Sequence, residues 1–220
     1  MPCPPVAGGF LGMGLSNLCQ VIHPAVMHGN FGDWDGQSTW NEAPLFYQGM
    51  SEEAADNMYR VSDELLALKA DLEGRYVALD LSVVRHILPW TLRAYGKYIT
   101  DTTNLRTRFS SNKAYAGLTC PMVPAPGGQG LVPDFGARYL SEDIPYNLVA
   151  ARGVAELCGV ATPTIDRILT WAQRAMGAEY LVDGKICGAD LARTFAPQRF
   201  GFSRLDQIPE LGSPRSPLEG

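Results

Sequence analysis

The first 32 residues contain no Asp, Glu, Lys or Arg. A secretory signal would pair a basic start with an unbroken apolar core, and this stretch has neither. Pro2, Pro4, Pro5, Gly8, Gly9, Gly12 and Gly14 interrupt it too often for a membrane-spanning helix. It reads instead as a segment built to be buried against something. No basic block occurs anywhere and the formal net charge is -5, so neither nucleic acid nor an anionic membrane is an expected partner. The five cysteines, Cys3, Cys19, Cys120, Cys158 and Cys187, are odd in number and scattered, with no C-x-x-C pair. Neither a disulfide framework nor a zinc ribbon fits that pattern; reduced cytoplasmic thiols are the simplest reading. Only three histidines occur, without H-E-x-x-H spacing, so no metal is expected.

A dinucleotide signature is missing as well. Ala7–Gly14 (AGGFLGMG) has glycines, but Gly9, Gly12 and Gly14 give G-x-x-G-x-G. The phosphate-binding fingerprint runs G-x-G-x-x-G, after a strand and before a helix. No strand precedes this stretch, and no residue set in the chain is suited to cradle a pyrophosphate.

What remains is ordinary globular composition, 46% hydrophobic and 19% charged over 220 residues, enough for one sizeable domain with its own core. Four periodic segments predict a mainly α fold. Ser51 is placed to cap a helix over Ser51–Glu73, with Ala55, Met58, Val61, Leu65, Leu68 and Leu72 inward and Gly74 as its stop. Asp80 is placed to cap a second helix, Leu81–Ile99, which Pro89 should kink near Trp90 and Tyr95. Pro145–Cys158 and Pro163–Met176 each begin with a proline in the first turn and end at Gly159 and Gly177. Thr162 offers the last helix a capping hydroxyl. Asp183-Gly184 between short apolar runs signals a small hairpin. Pro124–Gly130 reads as a flexible loop, and Glu210–Gly220 as a disordered tail.

Three places hold residues with chemical potential. Arg138 and Asp143 stand five apart at a helix entrance, fitting either an anion clamp with an acid–base partner or a surface ion pair with a helix cap. His23 precedes Pro24, where a helix is expected to begin, and His28 follows before Gly29; each fits a satisfied core or capping group as well as a site. Trp34 and Trp40, in the aromatic loop Phe31–Tyr47, fit either a cleft lining or a loop anchor.

The wording of the chain adds to this. ARYLSEDIPYNLVAARGVAELCGVATPTIDRILTWAQ closely resembles the C-terminal domain of the opine dehydrogenases, the octopine dehydrogenase type of marine invertebrates. In that family Arg and Asp five apart precede an I-P or V-P helix start, and a G-V-x-T-P-x-I-D segment follows. A His-Pro after an N-x-x-x-x-I/V run is matched by Asn17–Pro24, and Asn112–Met122 is similar too. Family members commonly have His where Cys120 stands. The likeness runs from about Leu15 to Phe202.

The resemblance implies a helical domain of the kind shared with 6-phosphogluconate dehydrogenases, here over residues 1–209. Residues 1–14 would be the former connection to a separate Rossmann domain that binds NAD. It implies reductive condensation of a 2-oxo acid, usually pyruvate, with an amino acid. His23 would be the general acid–base, Asp143 its orienting carboxylate, and Arg138 the partner of the 2-oxo acid's carboxylate. Trp90 would line the substrate cleft. Alone, such a chain should not turn over cofactor. The other reading is a non-enzymatic helical interaction module from a truncated paralogue.

Overall fold

The computed structural model describes residues 7–208 and Leu211. Residues 1–6 of the expected connection, and the expected tail other than Leu211, lie outside the described residues. Leu211 itself is buried. In chain order the helices are α1 (Gly9–Leu15), α2 (Cys19–Phe31), α3 (Glu52–Arg75), α4 (Ile87–Tyr95), α5 (Leu105–Ser110), α6 (Arg138–Ser141), α7 (Val149–Cys158) and α8 (Pro163–Met176). The described strands form two antiparallel pairs, β1 (Met122–Pro124) with β2 (Leu131–Pro133) and β3 (Leu181–Val182) with β4 (Lys185–Ile186). The fold is mainly α, in one continuous apolar core.

The uncharged start of the chain explains the centre of that core. Ten of the 13 residues of α2 are buried, on all sides of the helix. A helix apolar all round has no solvent face to reserve for charge. Helices α3, α6 and α8 pack around it. The backbones of α2 and α3 approach tightly at Gly29, where an added Cβ would lie 2.5 Å from the Ala54 backbone nitrogen.

Several expected boundaries differ. Helix α2 starts at Cys19, whose N–H donates to the Asn17 side chain at 3.1 Å, so Pro24 lies inside it and Gly29 does not end it. Pro24 forfeits one backbone hydrogen bond, of order 1 kcal/mol net, which burial of so many side chains outweighs. Gly74 is likewise inside α3 and is not left-handed; the helix ends one residue later at Arg75. Ser51 caps α3 as its spacing suggested, accepting from the Ala54 N–H at 3.1 Å.

The expected kinked helix Leu81–Ile99 is replaced by turns and the shorter α4. His86 caps α4, its Nδ1 accepting from Leu88 N–H at 3.1 Å, and Asp80 instead fixes a turn through Ser82 N–H at 2.8 Å. Pro89 therefore falls in the first turn, where the missing N–H costs nothing and no kink arises. The stretch read as a flexible loop, Pro124–Gly130, joins β1 to β2, with Gly127, Gly128 and Gly130 at positive φ.

Gly159 and Gly177 end α7 and α8 in the left-handed conformation, at φ 73° and 65°. Asp183 and Gly184, both at positive φ, make the hairpin turn between β3 and β4. Thr162 makes no capping bond to α8. Glu64 of α3 caps it, accepting from Thr164 N–H at 2.7 Å and Ile165 N–H at 3.0 Å. Asp166, the acid of the T-P-x-I-D segment, is taken by the buried guanidinium of Arg152 at 2.5 Å, which also donates to Gly184 O at 2.7 Å. That motif residue thus locks α7, α8 and the hairpin together.

Candidate functional site

His23 lies one turn into α2, and Asp143 lies just ahead of a single π-helical turn, Ile144–Leu148, that leads into α7. Such turns carry an extra residue and re-aim the side chains beside them. Packing of α2 against this segment brings His23 Nδ1 to 2.7 Å from Asp143 Oδ2. Asp143 makes no helix-capping bond; its second oxygen accepts from the Asn147 side chain at 3.3 Å. Both His23 and Asp143 are buried.

The imidazole is held on its other edges too. Its Nε2 lies 3.3 Å from the Tyr47 hydroxyl. Its ring stacks on Tyr139 with centroids 4.1 Å apart and meets Phe46 edge-on. A carboxylate can only accept, so the Nδ1 proton points at Asp143 and Nε2 is left to accept a proton. Burial pushes the Tyr47 hydroxyl well above the usual phenol range, so it stays protonated and donates to that nitrogen. When the imidazole is charged, the same hydroxyl can turn and accept.

Arg138 opens α6 and is exposed. Sequence spacing allowed an Arg138–Asp143 ion pair, and the structure does not form it. Among the described residues the Arg138 side chain has neither an ion pair nor a hydrogen bond. Its guanidinium rests beside the Tyr139 ring, 5.9 Å from the centroid. It opens on a cleft of about 490 Å³ lined also by His23, Asp143, Cys19, Asn147 and Phe195. One site therefore collects a permanent unpaired cation, a buried imidazole and the carboxylate that fixes its tautomer.

Trp90 does not line this cleft. Its ring meets Tyr95 at 5.7 Å, Tyr95 meets Tyr115 at 4.9 Å, and Tyr115 stacks on Tyr47 at 4.1 Å. Trp90 thus ends an aromatic row that begins at His23 Nε2. His28 sits apart, against Asn57, Glu53 and Trp171. It shares a separate polar hollow with Trp34 and Trp40. Both tryptophans also anchor their loop, Trp34 through Ser38 O at 2.8 Å and Trp40 through paired backbone bonds to Leu131. Cys120, at the position where the family commonly has His, is buried, and burial raises its thiol to about 11.

Sequence reasoning missed Tyr47, Tyr139 and Asn147. Asn147 carried a usable signal, four residues after Asp143 on the same helical face. Tyr139 adjoins Arg138 but had no distinguishing pattern, and Tyr47 sits in an aromatic loop whose path no local rule gives. A Cβ on Gly8 would strike Asp80 O at 2.8 Å and Leu81 at 2.7 Å, so this glycine serves close packing of the chain on itself.

Residues 6–176 match the family described as NAD/NADP octopine/nopaline dehydrogenase, alpha-helical domain. Tauropine dehydrogenase of Arabella iricolor is 42% identical over 202 residues, 92% of this chain and 50% of that protein. Octopine dehydrogenase of Mizuhopecten yessoensis is 43% identical over 187 residues, 85% of this chain and 46% of that protein. A solved octopine dehydrogenase with NADH and L-arginine superposes with a TM-score of 0.85 at 42% identity, covering 92% of this chain and 49% of that one. The chain spans about half the length of the relatives it matches. With its helical fold, it belongs to the alpha-helical domain family of the NAD/NADP octopine/nopaline dehydrogenases.

Proposed function

We propose that this chain is the substrate-binding and proton-transferring part of an NADH-dependent opine dehydrogenase that joins a 2-oxo acid such as pyruvate to an amino acid. The observation that carries the reading is the unpaired Arg138 guanidinium opening on the cleft that holds the His23–Asp143 pair. A 2-oxo acid presents a carboxylate, which a planar two-pronged cation binds best. Its condensation with an amine needs a group that takes a proton from the ammonium and returns one to the departing hydroxyl. Imidazole does both near neutral pH. In this reading His23 Nε2 is that group, and Asp143 holds its tautomer and offsets its charge. Tyr47 keeps Nε2 oriented until substrate arrives. Trp90 and the tyrosine row would wall the amino acid's end.

Reduced nicotinamide, held by the half that the relatives have and this chain does not match, would supply the hydride. An apolar groove of about 460 Å³ adjoins the cleft, sharing Asn17, Tyr146, Asn147 and Phe195 with it. Met13, Tyr146, Phe195 and Phe200 are exposed along it. An apolar strip beside a catalytic cleft is what a second domain would cover, and residues 1–209 would then be one unit docked through that strip.

The test is NADH oxidation with pyruvate and a panel of amino acids. The isolated chain is expected to be inactive, and a fusion carrying a relative's nucleotide-binding half ahead of Met1 active. A fusion that folds and binds NADH yet turns over no amino acid would overturn the enzymatic reading and favour the interaction module.

A further inference from the structure

We propose that Cys19, His23 and Asp143 form a site for a thiophilic divalent cation, Zn²⁺ above all, which binds in place of the proton shared by His23 and Asp143. One donor atom from each residue lies within 4.8 Å of the other two. Cys19 and His23 stand four apart on α2, hence on one face of the helix. Asp143 comes from across the core. Thiolate, imidazole and carboxylate are all zinc ligands, and three protein ligands with the fourth position open to solvent form a recurrent arrangement. Donors sharing one zinc ion sit about 3 to 4 Å apart, given bonds of about 2.0 to 2.3 Å. The Nδ1–Oδ2 pair, at 2.7 Å, stands slightly closer than that and needs to part only a little to admit the ion. Cys19 is exposed and lines the cleft, so it needs only to rotate inward and the ion has a way in.

The surroundings complete the site. A metal on Nδ1 obliges His23 to carry its proton on Nε2. Metal-binding histidines usually donate that second N–H to a fixed acceptor. Tyr47 Oη stands 3.3 Å from Nε2 and can accept it. The proton balance follows. The Cys19 S–H bond breaks and a sulfur–metal bond forms, with that proton going to solvent. The His23 proton moves from Nδ1 to Nε2 and stays. One proton is thus released per ion. Glu142 and Arg138 also face the cleft, one favouring and one opposing a cation.

Binding of the ion rests on the three donors alone. Its consequence, arrest of proton transfer at His23, rests on the function proposed above, so the two are tested separately.

The first experiment titrates Co²⁺ into the chain at pH 7.5 and reads the near-ultraviolet thiolate-to-cobalt charge-transfer band, then displaces Co²⁺ with Zn²⁺. The band is expected in the unaltered chain and lost in Cys19→Ser, whose exposed position spares the fold. It should survive in Cys187→Ser and Cys3→Ser. Tyr47→Phe should weaken binding by about 10- to 100-fold, the scale of a lost outer-shell partner. Absence of the band at millimolar Co²⁺ overturns the proposal, as does its persistence in Cys19→Ser or its loss in Cys187→Ser. In the active fusion, Zn²⁺ should inhibit the unaltered protein and leave Cys19→Ser at least tenfold less sensitive. Equal inhibition of the two, with the band intact in the unaltered chain, would refute the arrest while leaving the site standing.

Discussion

His23 and Asp143 stand 120 positions apart and meet at 2.7 Å, with Nδ1 facing Oδ2 inside the core. In the active fusion, His23→Ala should lower turnover by about 10²- to 10⁴-fold, the scale of a lost general acid–base. Asp143→Asn keeps the shape but presents an amide that can donate, favouring the wrong tautomer. It should lower kcat strongly and move the pH profile. A fully active His23→Ala fusion would move the proton transfer to another group.

Arg138→Ala removes the carboxylate's partner without touching the imidazole. The KM for the 2-oxo acid should rise by about 10- to 100-fold, from the 1.5–3 kcal/mol of hydrogen bonding to a charged group. Lysine keeps the charge but not the fork, so Arg138→Lys should recover only part of the loss. If KM for the amino acid rises and that for the 2-oxo acid does not, Arg138 serves the other substrate.

Glu64 caps α8 from α3 through the Thr164 and Ile165 N–H groups. Glu64→Ala leaves the helix start without that acceptor and should cost about 1 to 2 kcal/mol. Thr162→Val should cost less, since Thr162 does not cap the helix. Urea midpoints in the reverse order would return the capping role to Thr162.

Two glycines inside helices should respond oppositely to alanine. At Gly29 the added Cβ meets Ala54 backbone at 2.5 Å and 2.6 Å. A clash with backbone costs about 1 to 3 kcal/mol, more than the ~1 kcal/mol that alanine's helix propensity returns. At Gly74 nothing lies within 4 Å. Gly74→Ala should therefore stabilise by about 0.5 to 1 kcal/mol. Equal melting shifts for the two variants would contradict the close crossing of α2 and α3.

Burial lowers the pKa of His28, with Arg167 adding to the effect and Glu53 and Asp33 opposing it. The folded state resists a proton that the unfolded chain accepts at about 6.5. Its contribution is thus fully present above that value and is lost as pH falls below it, toward the lower folded pKa. Urea midpoints measured from pH 7.5 down to 5 should decline, and His28→Gln should flatten that decline. An unchanged slope in His28→Gln would assign the pH dependence to other groups.

The sequence by itself determined where helices stop and which faces they bury, wherever the cause is local. Gly159 and Gly177 end α7 and α8 because a left-handed residue suits glycine whatever lies beyond it. The uncharged start marked the first 32 residues as a stretch to be buried, though not the limits of α2 within it. The sequence also named His23, Arg138 and Asp143, through motifs whose spacing survives in the chain. Tertiary structure decided what spacing does not encode. Whether residue 81 or 87 begins a helix depended on His86 finding Leu88 rather than Asp80 prevailing. The cap of α8 came from a helix about 100 positions earlier. Arg138 and Asp143, five apart in the chain, stay unpaired with each other: the carboxylate is held by the imidazole that α2 supplies, and the guanidinium faces the cleft. Those outcomes turn on which partner a folded core brings within hydrogen-bond reach, and a choice between near and distant partners is made only when the whole chain packs.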